Sequence, residues 1–315
     1  MTSADTAIAI AKRGWPVGSK VVVVARDDFF TDALAGAPLA KYVFYKYGSA
    51  APILLTNPNH LLSQTRAELR RTGAEMVYVL GGPGALSLNV EEALRAIPNI
   101  KSLKRVWGQT AYGTALAIKK EITNIAAQVG GPSPSTAIIT TGENFPDALA
   151  ISGAAAAKNM PILLVKPLRG EPEPETKEAL KGIKKTVIIG GKAAVSQNLE
   201  TWLNKSGYPV IKRLWGETEY ETALDIATTG NSIFDFDFST VLVTRGDYFT
   251  DALAGGPFAA ILGPAPTILV KTDNIPERTS RWLVTNKDLF HLIYILGGWG
   301  AVSEDVVGQI GQLVE

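Results

Sequence analysis

The chain has 315 residues, and its 31 basic and 30 acidic side chains leave a net charge of +1, with 46% of residues hydrophobic and 19% charged. That length predicts two or three domains rather than one core, and the balanced charge excludes a global field able to gather nucleic acid or an anionic membrane surface. Without cysteine, disulfides, thiolate metal sites and a cysteine nucleophile are excluded; with His60 and His291 as the only histidines, no metal centre and no cofactor is expected.

The elements recur in a fixed order. Thr6-Ala7 opens a helical pattern. The apolar run KVVVVAR, ending at Arg26, predicts a strand. Asp32, two residues after the aromatic Phe30, opens a helix of small residues. APILLT predicts a second strand, SQTRAELRRTG a polar helix, and MVYVLGG a third strand running into Gly81-Gly82. A last helix is expected near Ser87.

After KRVWG (104–108) the order repeats: Thr114-Ala115, TAIITTG, Phe145 and Asp147, MPILLV, and TVIIGG with Gly190-Gly191 and Ser196. After KRLWG (212–216) it repeats again: Thr222-Ala223, TVLVTRG, Phe249 and Asp251, PTILV, and IYILGG with Gly297-Gly298 and Ser303. Thr6, Thr114 and Thr222 are spaced 108 residues apart. Continuous apolar strands alternating with helices predict α/β units with mainly parallel sheets covered on both faces. The expected architecture is three tandem Rossmann-like units at 1–104, 105–212 and 213–315. The first is expected to lack its opening strand, because nothing precedes Thr6 that matches Arg105 or Arg213. Short linkers predict direct packing of the units.

No stretch reaches the roughly 20 apolar residues needed to span a bilayer. The best, 258–270, is interrupted by Pro264 and Pro266, so no membrane insertion is expected. The N-terminal residues lack the basic, apolar and cleavage regions of a signal peptide. The expectation is a cytosolic protein, or an exported one whose signal is not in this sequence.

Several residues are candidates for function. Asp32, Asp147 and Asp251 fit two roles: first-turn carboxylates that complement a helix N-terminus, or ligand contacts. Asp28, Glu143 and Asp247, four residues earlier, could form acid pairs with them for acid–base work. The glycine pairs Gly81-Gly82, Gly190-Gly191 and Gly297-Gly298 follow strands, where backbone amides can hold an anion, or where glycine serves only a tight turn. The nucleotide fingerprint Gly-x-Gly-x-x-Gly is absent. Arg26 and Arg245 follow the first strand of their units and suit anion contact. Arg105 and Arg213 suit either an inter-unit bridge or a ligand fork. Trp107 and Trp215 could stack on sugar rings, but burial between units is the favoured expectation. No unit carries residues the others lack, which favours three linked weak binding sites over one catalytic centre.

The segments RVWGQTAYGTALAI, GENFPDALAISGAAAAKNMPILLV and IIGGKAAVS of the second unit resemble the cell wall binding repeat family, type 2. So do RLWGETEYETALDIA, RGDYFTDALAGGPFAA and ILGGWGAVS of the third, and RDDFFTDALAGAPLA, APILLT and LGGPGALS of the first. Thr31 and Thr250 stand where that pattern prefers proline. The resemblance implies packing around a pseudo-threefold axis. It also implies a non-catalytic module, extracellular and cell wall associated, as in surface proteins of Gram-positive bacteria. The implied partner is an anionic secondary cell wall polymer, teichoic-acid-like or another phosphate-containing polysaccharide. The alternative on residues alone is a Rossmann-like enzyme acting on wall or sugar-phosphate substrates.

Overall fold

The computed structural model describes residues 2–143, 146–248 and 250–315, with the side chains of Thr250 and Asp251 outside that description. The chain begins with α1 (Ser3–Gly14), β1 (Val21–Arg26), α2 (Thr31–Tyr42), α3 (Phe44–Tyr47), β2 (Ile53–Thr56), α4 (Ser63–Thr72), β3 (Met76–Leu80), α5 (Leu88–Arg95) and β4 (Ser102–Val106). It continues with α6 (Ala111–Val129), β5 (Thr136–Thr141), α7 (Pro146–Ala157), β6 (Ile162–Val165), α8 (Pro174–Ala179), β7 (Lys185–Ile189), α9 (Gln197–Lys205) and β8 (Val210–Leu214). The last part holds α10 (Glu219–Thr228), α11 (Asn231–Phe234), β9 (Thr240–Arg245), α12 (Thr250–Leu253), α13 (Gly255–Ile261), β10 (Thr267–Val270), α14 (Glu277–Asn286), β11 (Leu292–Leu296) and α15 (Glu304–Val314).

Among the described residues these strands form three parallel sheets, ordered β2-β1-β3-β4, β6-β5-β7-β8 and β10-β9-β11. The α/β, mainly parallel architecture agrees with the sequence. The phase of the repeat differs. The strand containing Arg105, expected to open the second unit, pairs with β3 and closes the first sheet; the strand containing Arg213 likewise closes the second. The cut expected between residues 104 and 105 therefore falls inside β4. The physical reason is the short crossover through α5, which returns the chain to the sheet it has just left. The first sheet thus has four strands, not the deficit expected of it, and the three-stranded sheet is the third.

Burial explains the apolar runs. Along β1, Val21, Val23 and Ala25 point into one core, and Val22 and Val24 into another. The same alternation separates Ile138 from Ala137 and Ile139, and Leu242 from Val241 and Val243. One face of all three sheets feeds a single central core that runs through the whole chain. The other face of each sheet has its own smaller core, covered in the first sheet by α4 and α5 residues such as Leu69 and Leu94.

The helices that follow β1, β5 and β9 meet at the centre: α2, α7 and α13 contact one another in every pairing. Ala37, Ser152 and Gly256, each five residues after its aspartate, come together there. A Cβ on Gly256 would lie 2.8 Å from both Ala37 Cβ and Ser152 Oγ. This is the pseudo-threefold axis. The ring closes at its rim, where α6 packs on α2, α10 on α7, and α1 on α12 and α13.

The close approach sets a prediction. A Cβ at Gly153 would lie 2.6 Å from Ala259 Cβ, closer than carbon atoms approach. Gly153→Val should therefore lower the melting temperature, with overpacking worth about 1–3 kcal/mol outweighing a helix-propensity gain of under about 1 kcal/mol. Thermal melts followed by circular dichroism measure it. An unchanged or raised melting temperature would contradict this packing.

Candidate functional site

In these parallel sheets the order of strand addition reverses between β1 and β3, between β5 and β7, and between β9 and β11. Open α/β sheets bind ligands at the strand carboxyl ends beside such a reversal. In the first sheet, Asp32 from the start of α2 and Gly81 from the end of β3 meet there. A Cβ on Gly81 would lie 2.5 Å from Asp32 Oδ2. In the second, Asp147 stands against Gly190 in the same way, at 2.6 Å. Gly81, Gly190 and Gly297 have φ of +95°, +107° and +120°, a region that only glycine enters cheaply. The side chain of Asp251, third in the series, lies outside the described residues.

Each described aspartate is tied to the next repeat. Asp32 hydrogen-bonds the Thr114 hydroxyl of α6, and Asp147 the Thr222 hydroxyl of α10. Those hydroxyls also accept the N–H of Gly108 at 3.2 Å and of Gly216 at 3.0 Å. Burial pushes the Asp32 carboxyl above its ordinary range, against the Thr114 hydrogen bond and the Arg26 charge. Burial raises Asp147 to about 6, opposed by Thr222 and assisted by nearby Glu219. The aspartates do sit in the first helical turn, as expected, but their partner is a threonine across the junction. The Thr-Ala landmark carried that signal in the sequence without revealing the partner.

Among the described residues neither Asp28 with Asp32 nor Glu143 with Asp147 forms an acid pair, and the third candidate pair, with Asp251, lies outside them. Asp28 turns instead to Arg26, which holds it through two bonds of 2.6 and 2.8 Å. Asp247 pairs with Arg245 at 2.7 Å. Each guanidinium also lies over an aromatic ring, Arg26 over Phe29 at 5.6 Å and Arg245 over Tyr248 at 5.4 Å. Both rings are about half exposed. These two constellations of arginine, aspartate and aromatic ring sit beside the aspartate turns.

Arg105 and Arg213 play a different part. Arg105 pairs with Glu91 of α5 at 2.9 Å and donates to the carbonyls of Gly81 and Leu86. Arg213 pairs with Glu200 of α9 at 2.7 Å and donates to the Gly190 carbonyl. Their side chains are largely buried, and each bonds residues that precede it in the chain, locking a sheet edge to its glycine turn. Glu91 and Glu200, four residues after the landmark serines, were not singled out in the sequence.

The tryptophans depart from expectation. Trp107 and Trp215 are 44% and 51% exposed, not buried between units. Each ring rests against the second glycine of a pair: a Cβ on Gly82 would meet the Trp107 ring at 2.6 Å, and one on Gly191 the Trp215 ring at 3.2 Å. The missing side chain lets part of the ring rest on backbone while the rest stays in solvent. Trp215, Gly191, Lys192, Asp147 and Glu219 line a crevice of about 340 Å³. At the third sheet a groove of about 1020 Å³ is lined by Arg245, Tyr248, Gly297, Gly298 and Trp299. Among the described residues no group of three or more acids and histidines is placed to hold a metal ion, and no helix is long and apolar enough to cross a membrane.

Two substitutions test this arrangement. Asp147 has its folded-state pKa raised from 3.8 to about 6, so its contribution to stability is present below about pH 4 and is lost as pH rises through 6. Asp147→Asn should flatten the pH dependence of the melting temperature between those limits; an unchanged profile would show that Asp147 is not the titrating group. Arg213→Ala should cost about 1.5–3 kcal/mol, the range for hydrogen bonds to a charged group. Denaturant melts reporting no loss would place Arg213 outside the fold's support.

The pattern of the family described as Cell wall binding domain 2 matches residues 2–91, 105–200 and 213–307. Among curated proteins the chain is 28% identical over 309 residues to the "Amidase enhancer" of Bacillus subtilis, covering 97% of this chain and 38% of that protein. It is 29% identical over 305 residues to the "N-acetylmuramoyl-L-alanine amidase LytC" of the same organism, covering 97% of this chain and 55% of that one. The chain thus spans about half or less of these relatives' length. Among solved structures, Cwp6 from Clostridium difficile superposes with a TM-score of 0.83 at 25% identity, over all of this chain and 47% of that one. Cwp8 from the same organism gives 0.82 at 23%, over 99% and 50%, a likeness of fold. With three matches that take in most of its length, the chain belongs to the Cell wall binding domain 2 family.

Proposed function

We propose that this chain is a non-catalytic anchor that holds a protein at the outside of the cell by binding an anionic secondary cell wall polymer. The observation that carries the reading is the threefold repetition of a cell wall binding domain, with half-exposed tryptophans on two of its glycine turns. Trp107, Trp215, Phe29 and Tyr248 offer aromatic faces to sugar rings. Arg26 and Arg245, held rigidly at the rim, and the backbone of the glycine turns meet the polymer's anionic groups. Three linked sites raise the strength of attachment without any one being tight. The bonding of Asp32 and Asp147 to threonine hydroxyls at the repeat junctions supports a structural part for these carboxylates.

A sedimentation assay with purified wall, before and after chemical removal of its anionic polymer, tests this. Binding should disappear with the polymer and weaken as salt rises, since screening shortens to about 8 Å at physiological ionic strength. Trp215→Ala should lower binding severalfold with little change in melting temperature. Undiminished binding to stripped wall would overturn the anionic-polymer reading. Robust hydrolysis of wall by the chain would overturn the non-catalytic one.

A further inference from the structure

The loop from α2 to β2 is longer than those from α7 to β6 and from α13 to β10, and the excess carries α3 with Phe44, Tyr45, Lys46 and Tyr47. Helix α3 packs on α6, where Lys46 donates to the Gln128 side chain at 2.9 Å. Between α3, α6 and the starting ends of β3 and β4 lies a cleft of about 470 Å³. Because the four strands run parallel, the cleft sits at the end of the first sheet opposite the glycine turns.

The floor of the cleft is polar and buried. Tyr78 of β3 is 1% exposed; its hydroxyl donates to Glu121 of α6 at 3.1 Å and meets the hydroxyl of Tyr47. Glu121, 6% exposed, also pairs with Lys104 of β4. The repeat does not require this set. Counted from the glycine pair, Val187 stands in the second repeat where Tyr78 stands in the first. Counted from the Thr-Ala landmark, Thr229 and the buried Phe236 stand where Glu121 and Gln128 do. The first repeat thus keeps a buried carboxylate, against its desolvation cost, at a place where its neighbour folds without one.

The rim is basic. Lys20, Lys46, Lys101 and Lys104 line the cleft, against the carboxylates Glu75 and Glu121. Glu75 holds Lys101 at 2.9 Å and lies in the field of Lys20. Four lysines over two glutamates leave an excess of two positive charges in this one place, within a chain whose net charge is +1. No arginine is among the described lining residues. Ammonium groups act as compact point charges and suit phosphate without the planar fork that pairs with a carboxylate.

The lining also offers neutral contacts. Met76 and Leu103 present apolar surface, while Tyr47, Ser102 and Gln128 carry hydroxyl and amide groups. That mixture matches a sugar ring, which is apolar on its faces and polar around its edge. The volume falls in the range of about 300–1,000 Å³ usual for a small-molecule pocket, at its lower end, which suits one phosphorylated sugar rather than a run of them.

From these features we infer that the cleft at the start of the first sheet binds a free sugar phosphate, its phosphate among the lysines and its ring against Met76 and Leu103. The site is separate from the glycine turns and tryptophans, so it stands or falls independently of the wall-binding reading. Calorimetric titration of the full chain with glucose-6-phosphate, inorganic phosphate and glucose tests it. Glucose-6-phosphate, with close to two negative charges above about pH 7, should bind saturably and at least about tenfold more tightly than either of the others. Lys46→Ala combined with Lys101→Ala should weaken that binding by at least about tenfold. The melting temperature of this variant should not change, because both side chains are exposed and their pairings add little to the fold. Its sedimentation with purified wall should be unchanged too; a matching loss there would assign the cleft to the wall polymer and overturn the inference. Absence of saturable binding, phosphate or glucose binding as tightly as the sugar phosphate, or full affinity in the double variant would overturn it as well.

Discussion

The structure depends on the contact of three helices at one axis. Ala37, Ser152 and Gly256 leave so little side chain between α2, α7 and α13 that the backbones approach closely, and each helix rests on its own sheet from the other side. Small residues here are a geometric requirement. A larger side chain on one helix would push away two neighbours, and with them the inner faces of two sheets. Because those inner faces share one core, none of the repeats has its apolar surface covered by its own residues alone. The chain resembles a stacked repeat protein in sequence, but closing the stack into a ring replaces nearest-neighbour contacts with a common centre.

The same closure builds the crevices. Each described aspartate comes from one repeat and its threonine partner from the next, so the floor of a crevice forms only when neighbouring repeats are docked. Arg105 and Arg213 fasten the edge strand to the glycine turn, and the tryptophan that follows lies on that turn. The exposed aromatic faces are thus held by the ion pairs behind them. Preorganised faces suit binding of an extended polymer, where ordering flexible side chains would reduce affinity.

Much of this was legible in the sequence. The triplication, the parallel α/β class and the strands were plain, because apolar runs and landmark spacing report burial directly. So was the place of Asp32 and Asp147 at helix starts. What the sequence concealed was partnership. A repeat has no intrinsic starting point, so the Arg-x-Trp-Gly strand read as an opening strand although it closes the sheet before it. Asp28 read as a possible partner of Asp32, four residues on, and only the turn after β1 brings it to Arg26 instead. Trp107 and Trp215 looked like core residues because ring size argues for burial, yet a side-chain-free glycine surface lets them lie half in water. In each case the deciding quantity is a distance between residues far apart in the chain.

Differential scanning calorimetry of the whole chain tests the central claim, that one shared core makes the three repeats a single cooperative body. The account predicts one transition whose van't Hoff enthalpy equals the calorimetric enthalpy. Two or three separable transitions, or a van't Hoff enthalpy near one third of the calorimetric value, would show repeats that fold independently and would contradict it.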